Sequence, residues 1–291
     1  MKPADVSIAV LVAVIWGLAF VAARVALDEL SPALLTTLRF AVAAVPCLLV
    51  RKPDVSWRLL GAISLTLFLG QFLAQAFAIA HGVPVGLFSV IVQSQALFTI
   101  AFAALIFGER PTPMQTVGIG IAAAGLLMIC GTVGYDFSLS AFAIAMICPI
   151  SFATGNILLR GARGAPMFDL FAWLCLAAAV PLLALTLVTD GAAPTWQALT
   201  HMSLMSLACV LFLGAISTSI AYWLWGRLLR DHPTAQVVPF GLLVPFVGSA
   251  ASSLAFGERF GPLRLVGMIT VIGGIAVMLL ARRAQSLPKV A

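Results

Sequence analysis

Phe107-Gly108-Glu109-Arg110 returns, letter for letter, as Phe256-Gly257-Glu258-Arg259, 149 positions later. Laid over one another without gaps, Leu105 to Gly125 and Leu254 to Gly274 share nine of twenty-one positions. Pro113 falls on Pro262, Gly118 on Gly267 and Gly125 on Gly274. A match of that length at one fixed offset marks an internal duplication. In both copies a charged tetrapeptide is followed by proline and then by a long apolar run, so each copy reads as a short turn between two membrane helices, and each repeat ends with the same helix pair.

Hydropathy carries this reading across the chain. Hydrophobic residues make up 62% and charged residues 9%, and the mean hydropathy is +1.13, far from ordinary soluble domains. Apolar periods and breakers predict spans near 6–23, 32–50, 59–80, 84–107, 114–131, 138–159, 168–188, 203–226, 235–256 and 263–281. Ten crossings of about 20 residues use roughly 200 positions and leave short loops, the longest around Asp190 to Met202. Residues 6–23 follow Lys2 and end near Ala22-Ala23, as a signal peptide would, but the run is long enough to span and opens the first repeat. The expected fold is an all-α polytopic membrane protein of ten transmembrane helices, with a first five-helix repeat over 1–134 and a second over 135–291. Five is odd, so the repeats are inverted.

The basic residues set the orientation. With the N-terminus inside, Lys2, Arg51, Lys52, Arg58, Arg110, Arg160, Arg163, Arg227, Arg230, Arg282, Arg283 and Lys289 are inner, and Arg24, Arg259 and Arg264 are outer. That bias predicts both termini in the cytoplasm. The net charge of +6 is spread over helix ends rather than clustered, which argues for a lipid bilayer and against nucleic acid. Cys47, Cys130, Cys148, Cys175 and Cys209 sit in apolar runs without paired spacing and read as small hydrophobes. No Gly-Lys-Ser/Thr phosphate loop or Gly-x-Ser-x-Gly elbow occurs, lysines stand only at 2, 52 and 289, and His81, His201 and His232 are scattered. We therefore expect no cofactor, no metal and no enzyme chemistry.

Ile15-Trp16-Gly17-Leu18-Ala19-Phe20, Leu38-Arg39-Phe40, both Phe-Gly-Glu-Arg endings and Val244-Pro245-Phe246 resemble the drug/metabolite transporter superfamily, in its ten-helix branch with two tandem EamA-type domains. The resemblance covers essentially the whole chain and is strongest to the bacterial aromatic amino-acid exporters. It implies efflux of aromatic and other neutral amino acids across the inner membrane. Ala96 stands where the pattern favours a proline equivalent to Pro245.

Candidate substrate contacts follow from residue type and spacing. Arg39 is the one ionised side chain well inside a predicted span, suited to a substrate carboxylate or to a structural strut. Gln71 and Gln75 share a face that Ala78 and Gly82 continue, with His81 at its outer end. Gln93 and Gln95 lie about 200° apart on an α-helix, so they are not expected both to face one cavity, and Gln95, which shares a face with Phe88, Val92 and Thr99, is favoured slightly over Gln93. Thr218, Tyr222 and Trp225 form one stripe, and Trp16 with Phe20 offers a facing wall for an apolar side chain. Trp57, Trp173, Trp196 and Trp223 read as packing or interfacial residues. Asn156 is polar in an apolar span, and Pro245 is a candidate hinge. Glu109 and Glu258 read as caps or gate ion pairs.

No Asp or Glu falls mid-span, as proton-driven or cation-selective carriers often require. The expected substrate is therefore a neutral, largely apolar zwitterion moved by alternating access. A multidrug or other-metabolite exporter is the alternative within the superfamily, and a channel or intramembrane enzyme is more remote. With both halves in one chain, a monomer suffices.

Overall fold

A computed structural model describes residues 1–286, and the side chains of all of these except 234, 235 and 282–286. Lys289 lies outside the described residues, as do the side chains of Arg282 and Arg283. The main helices are α1 (Pro3–Ala26), α2 (Pro32–Leu48), α3 (Trp57–Ala80), α4 (Val85–Phe107), α5 (Pro113–Cys130), α6 (Leu139–Ala162), α7 (Met167–Thr189), α8 (Leu204–Asp231), α9 (Val238–Phe256) and α10 (Pro262–Ser286). Nine of these are long and apolar enough to cross a membrane by themselves among the described residues.

The tenth, α2, is shorter because Pro46 turns its last residues, Val45–Leu48, into a 3₁₀ turn. Its thirteen α-helical residues rise about 20 Å and the steeper-rising 3₁₀ turn adds about 8 Å, close to the ~30 Å of hydrocarbon. The longest connection carries a short helix of its own, Ala192–Thr200. Helix α8 continues to Asp231, beyond the apolar run, where Arg227 and Asp231 pair one turn apart.

Starts and stops follow local chemistry. Ser31, Ser56, Thr112, Ser138 and Ser203 each accept a backbone N–H at a helix N-terminus, and Pro32 and Pro113 open their helices where no N–H partner is needed. Helices α4 and α9 both stop at the repeated motif, with Gly108 at φ 66° and Gly257 at φ 67°. Only glycine takes that left-handed cap cheaply.

Packing obeys the duplication. Helix α5 lies against α10, α2 against α7, α1 against α9 as α6 against α4, and α3 against α6 as α8 against α1. The α5–α10 crossing is backbone-close: a Cβ on Gly274 would fall 2.4 Å from the Ala122 nitrogen, and one on Gly125 2.6 Å from the Val271 nitrogen. Without a hydrophobic drive between helices in lipid, such small-residue contacts supply much of the attraction. Helix α3 has π-helical turns over Ser64–Gly70 and α8 over Phe212–Ile220; the 149-residue offset carries 64–70 onto 213–219.

A cavity with one sealed and one open face

The helices enclose a cavity of about 960 Å³. It opens on the face that carries Arg160, Arg227 and Arg230, and closes toward the face that carries His81, Glu29 and Asp190. Trp16, Phe20, Arg39, Gln71, Gln75, Gln95, Asn156, Thr218, Tyr222 and Trp225 all line it.

Arg39 sits at its closed end, 4% exposed. The π-helical turn of α8 is what receives it. Thr218 donates to the Leu213 carbonyl five residues back, at 2.8 Å, and accepts from Arg39 Nε at 3.0 Å, while Ser217 Oγ accepts from Nη2 at 3.3 Å. Gly214 lets α2 approach, since a Cβ there would stand 2.7 Å from the Arg39 carbonyl. Phe72 lies under the guanidinium, 4.0 Å from ring centroid to Cζ, an attraction that grows where water is excluded. Among the described residues no carboxylate pairs with Arg39, and its Nη1 makes no hydrogen bond to the protein.

The aromatic wall is built from three helices. Trp16 packs on Tyr222 and Trp225 at 5.4 and 5.1 Å, and Tyr222 on Phe171 at 5.1 Å. The widened turn of α8 leaves the Ser217 carbonyl to accept from Trp16 Nε1 at 3.1 Å, which fixes the indole. Opposite, Gln71 and Gln75 follow the π-helical turn of α3, whose Ser64 donates to the Leu174 carbonyl at 2.8 Å. Ser151 Oγ donates to the Thr66 carbonyl at 2.7 Å. Gln71 Oε1 and Gln95 Oε1 are buried and accept no hydrogen bond. Asn156 lines the cavity and also reaches Thr99 Oγ1 at 3.5 Å.

Three expectations change. His81 is exposed and outside the cavity: α3 ends at Ala80, so the stripe stops there, and the ring turns back to the Phe77 carbonyl at 2.8 Å. Pro245 is buried and does not line the cavity. It stands in the first α-helical turn of Leu243–Phe256, directly after the 3₁₀ turn Val238–Leu242, and it offers no N–H to the Gly241 carbonyl four residues back, which Gln93 meets instead. Gln93 does line the cavity together with Gln95, because Val92–Ser94 is a 3₁₀ turn and the 200° separation of an α-helix does not apply. Its amide donates to the Gly241 carbonyl at 3.0 Å. Phe72, Phe171 and Trp223 also line the cavity and were missed; for Phe72, its place one turn from Phe68 and beside Gln71 was the available signal.

The closed end is a seam of small residues. A Cβ on Gly86 would meet the Ser249 Cα at 2.9 Å, one on Gly248 the Ser89 Cβ at 2.8 Å, and one on Gly17 the Val247 Cβ at 2.6 Å. Ser89 Oγ lies 3.4 Å from the Pro245 carbonyl, and Phe20 meets Phe88 edge-on at 5.9 Å. Glu258, from the second motif, accepts the Val85 and Gly86 N–H groups at 2.6 and 2.9 Å and so caps α4. Glu109, from the first, meets Arg160 at 2.5 Å on the open face. On the sealed face Arg264 grips Asp136 with two bonds of 2.8 and 2.7 Å.

Ten apolar helices in two interleaved halves around one cavity agree with the comparisons. The EamA-like transporter family matches residues 5–131 and again 139–280. The chain belongs to this family. Across its full length it is 33% identical to a probable amino-acid metabolite efflux pump of Salmonella typhimurium, covering 99% of that protein, and 32% identical to one of Escherichia coli, also over 99%. A probable terminal-alkyne amino-acid exporter of Streptantibioticus cattleyicolor is 29% identical over 94% of this chain and 92% of its own. A crystal structure 18% identical in sequence superposes with a TM-score of 0.66, covering 98% of this chain and all of that one, which speaks to the fold alone. As an EamA protein, the chain is a multi-pass membrane exporter of small metabolites and not an enzyme.

Proposed function

We propose that this EamA protein exports neutral amino acids, chiefly aromatic ones, across the bacterial inner membrane by alternating access. In this reading 1–134 and 135–291 are the two moving halves, both termini face the cytoplasm, and the open face is cytoplasmic. The observation that carries it is Arg39. A desolvated guanidinium with a free Nη1 and no carboxylate partner among the described residues, set beside an aromatic wall, suits a ligand that brings its own carboxylate and an apolar side chain. The excess of Lys and Arg on the open face supports the orientation. The names of the Salmonella and Escherichia relatives support amino acids as the class.

Uptake of labelled tryptophan, phenylalanine and alanine into liposomes tests it, beside Gln75→Ala and Tyr222→Ala. Saturable, trans-stimulated aromatic flux that falls in both variants is expected; absence of flux for all three overturns the reading. The breadth of the cavity, about 960 Å³ and near the upper end for small-molecule sites, favours a second reading, a multidrug exporter. Strong competition by quaternary ammonium compounds decides for it.

A further inference from the structure

Arg39 accounts for one end of an amino acid; its ammonium needs acceptors, and no carboxylate lines the cavity among the described residues. Two side chains stand out. Gln71 is 6% exposed, and its Oε1, like that of Gln95, is buried without a donor. A buried amide oxygen left unpaired is costly, about 1–3 kcal/mol. The amide nitrogens of Gln71 and Gln95 make no bond to the protein either, in contrast to Gln93, whose Nε2 is committed to Gly241. A half-turn about the last side-chain torsion, which is soft and nearly two-fold in glutamine, exchanges oxygen for nitrogen and sacrifices no protein contact. It presents a carbonyl to the cavity from α3 and another from α4.

Resting on the amino-acid reading above, we propose that Gln71 and Gln95 form the ammonium subsite: their amide oxygens accept N–H bonds from the substrate while Arg39 Nη1 takes the carboxylate. Neutral carbonyls give an ammonium hydrogen bonds but no compensating charge, so with Arg39 holding the carboxylate this pair favours zwitterions over simple amines. A glutamate in the same place would admit organic cations. The two amides thus set substrate class.

The test is competition against labelled L-phenylalanine flux in liposomes, with 3-phenylpropionate, which lacks the ammonium, and phenethylamine, which lacks the carboxylate. Wild type should prefer phenylalanine over 3-phenylpropionate by at least roughly tenfold, the scale of a hydrogen bond to a charged group. In Gln71→Leu/Gln95→Leu that preference should fall to within about threefold, while the preference over phenethylamine, set by Arg39, persists. Gln71→Glu should strengthen inhibition by phenethylamine. Each preference is a ratio within one variant, so lost folded protein does not disturb it. An unchanged preference over 3-phenylpropionate in the double variant overturns the ammonium subsite and leaves the exporter reading standing. Absence of saturable phenylalanine flux in folded wild type overturns both.

Discussion

Helices α4 and α9 meet along one seam, and its two ends differ. Toward the sealed face, Gly86 and Ser89 meet Gly248, Ser249 and Ser252, and backbones come within van der Waals contact. Toward the open face the contact narrows to the hydrogen bond from Gln93 to the Gly241 carbonyl, and Ala96, Val238 and Leu242 line the cavity. The 149-residue offset maps Gly248, Ser249 and Ser252 onto Thr99, Ile100 and Ala103. Gly248 and Ser249 thus correspond to the larger Thr99 and Ile100, while Ser252 corresponds to the smaller Ala103. In the alternating-access reading proposed above, closing the open face has to accommodate Ile100 and Thr99.

The largest expected effect lies at the scaffold shared by both faces. Gly274→Leu drives a side chain into the α5 backbone and should cost about 3 kcal/mol by overpacking, read as a lowered Tm in detergent with flux lost through loss of folded protein. Next is Gly86→Leu, which wedges only the seam. Folded protein should persist, transport should fall by roughly tenfold or more, and a cysteine at Ser89 should become reactive from the sealed face; an unreactive Ser89→Cys in that background breaks the comparison. In the cavity, Arg39→Gln should lower apparent affinity roughly tenfold or more, and Arg39→Lys should not rescue it, because a point charge cannot meet Thr218, Ser217 and a ligand together. Tyr222→Ala should reduce phenylalanine flux relative to alanine by about fivefold, the scale of an aromatic pair. The smallest effect is at the sealed rim. The Ser203 hydroxyl and N–H hold the Glu29 carboxyl below its ordinary value of 4.5. The contact's contribution is present above that value and disappears as pH falls through the lowered one, so wild type and Glu29→Gln should diverge above pH 4.5 and converge in acid thermal melts.

How much of this was legible depended on what each signal measures. Hydropathy located all ten helices, and the repeated Phe-Gly-Glu-Arg marked two ends to the residue, since Gly108 and Gly257 serve as left-handed caps. Residue type picked out Arg39, Tyr222 and Trp16, because a charge or a large ring in an apolar span is rare. Periodicity failed where the helix departs from 3.6 residues per turn. Gln93 entered the cavity through a 3₁₀ turn, and His81 left the stripe when α3 ended. Neither departure alters composition, so no apolar pattern could report it. Pro245 misled for a different reason: it is buried behind the cavity wall rather than lining the cavity.

The paired π-helical turns carry a historical consequence. Such a turn amounts to a residue inserted into a regular helix, and insertions at matching places in α3 and α8 are most simply one event copied by the duplication rather than two. The bulge that now receives Arg39 thus predates the fusion of the halves. A five-helix unit carrying that bulge supplies only half of the cavity, so the site is complete only where two such units meet.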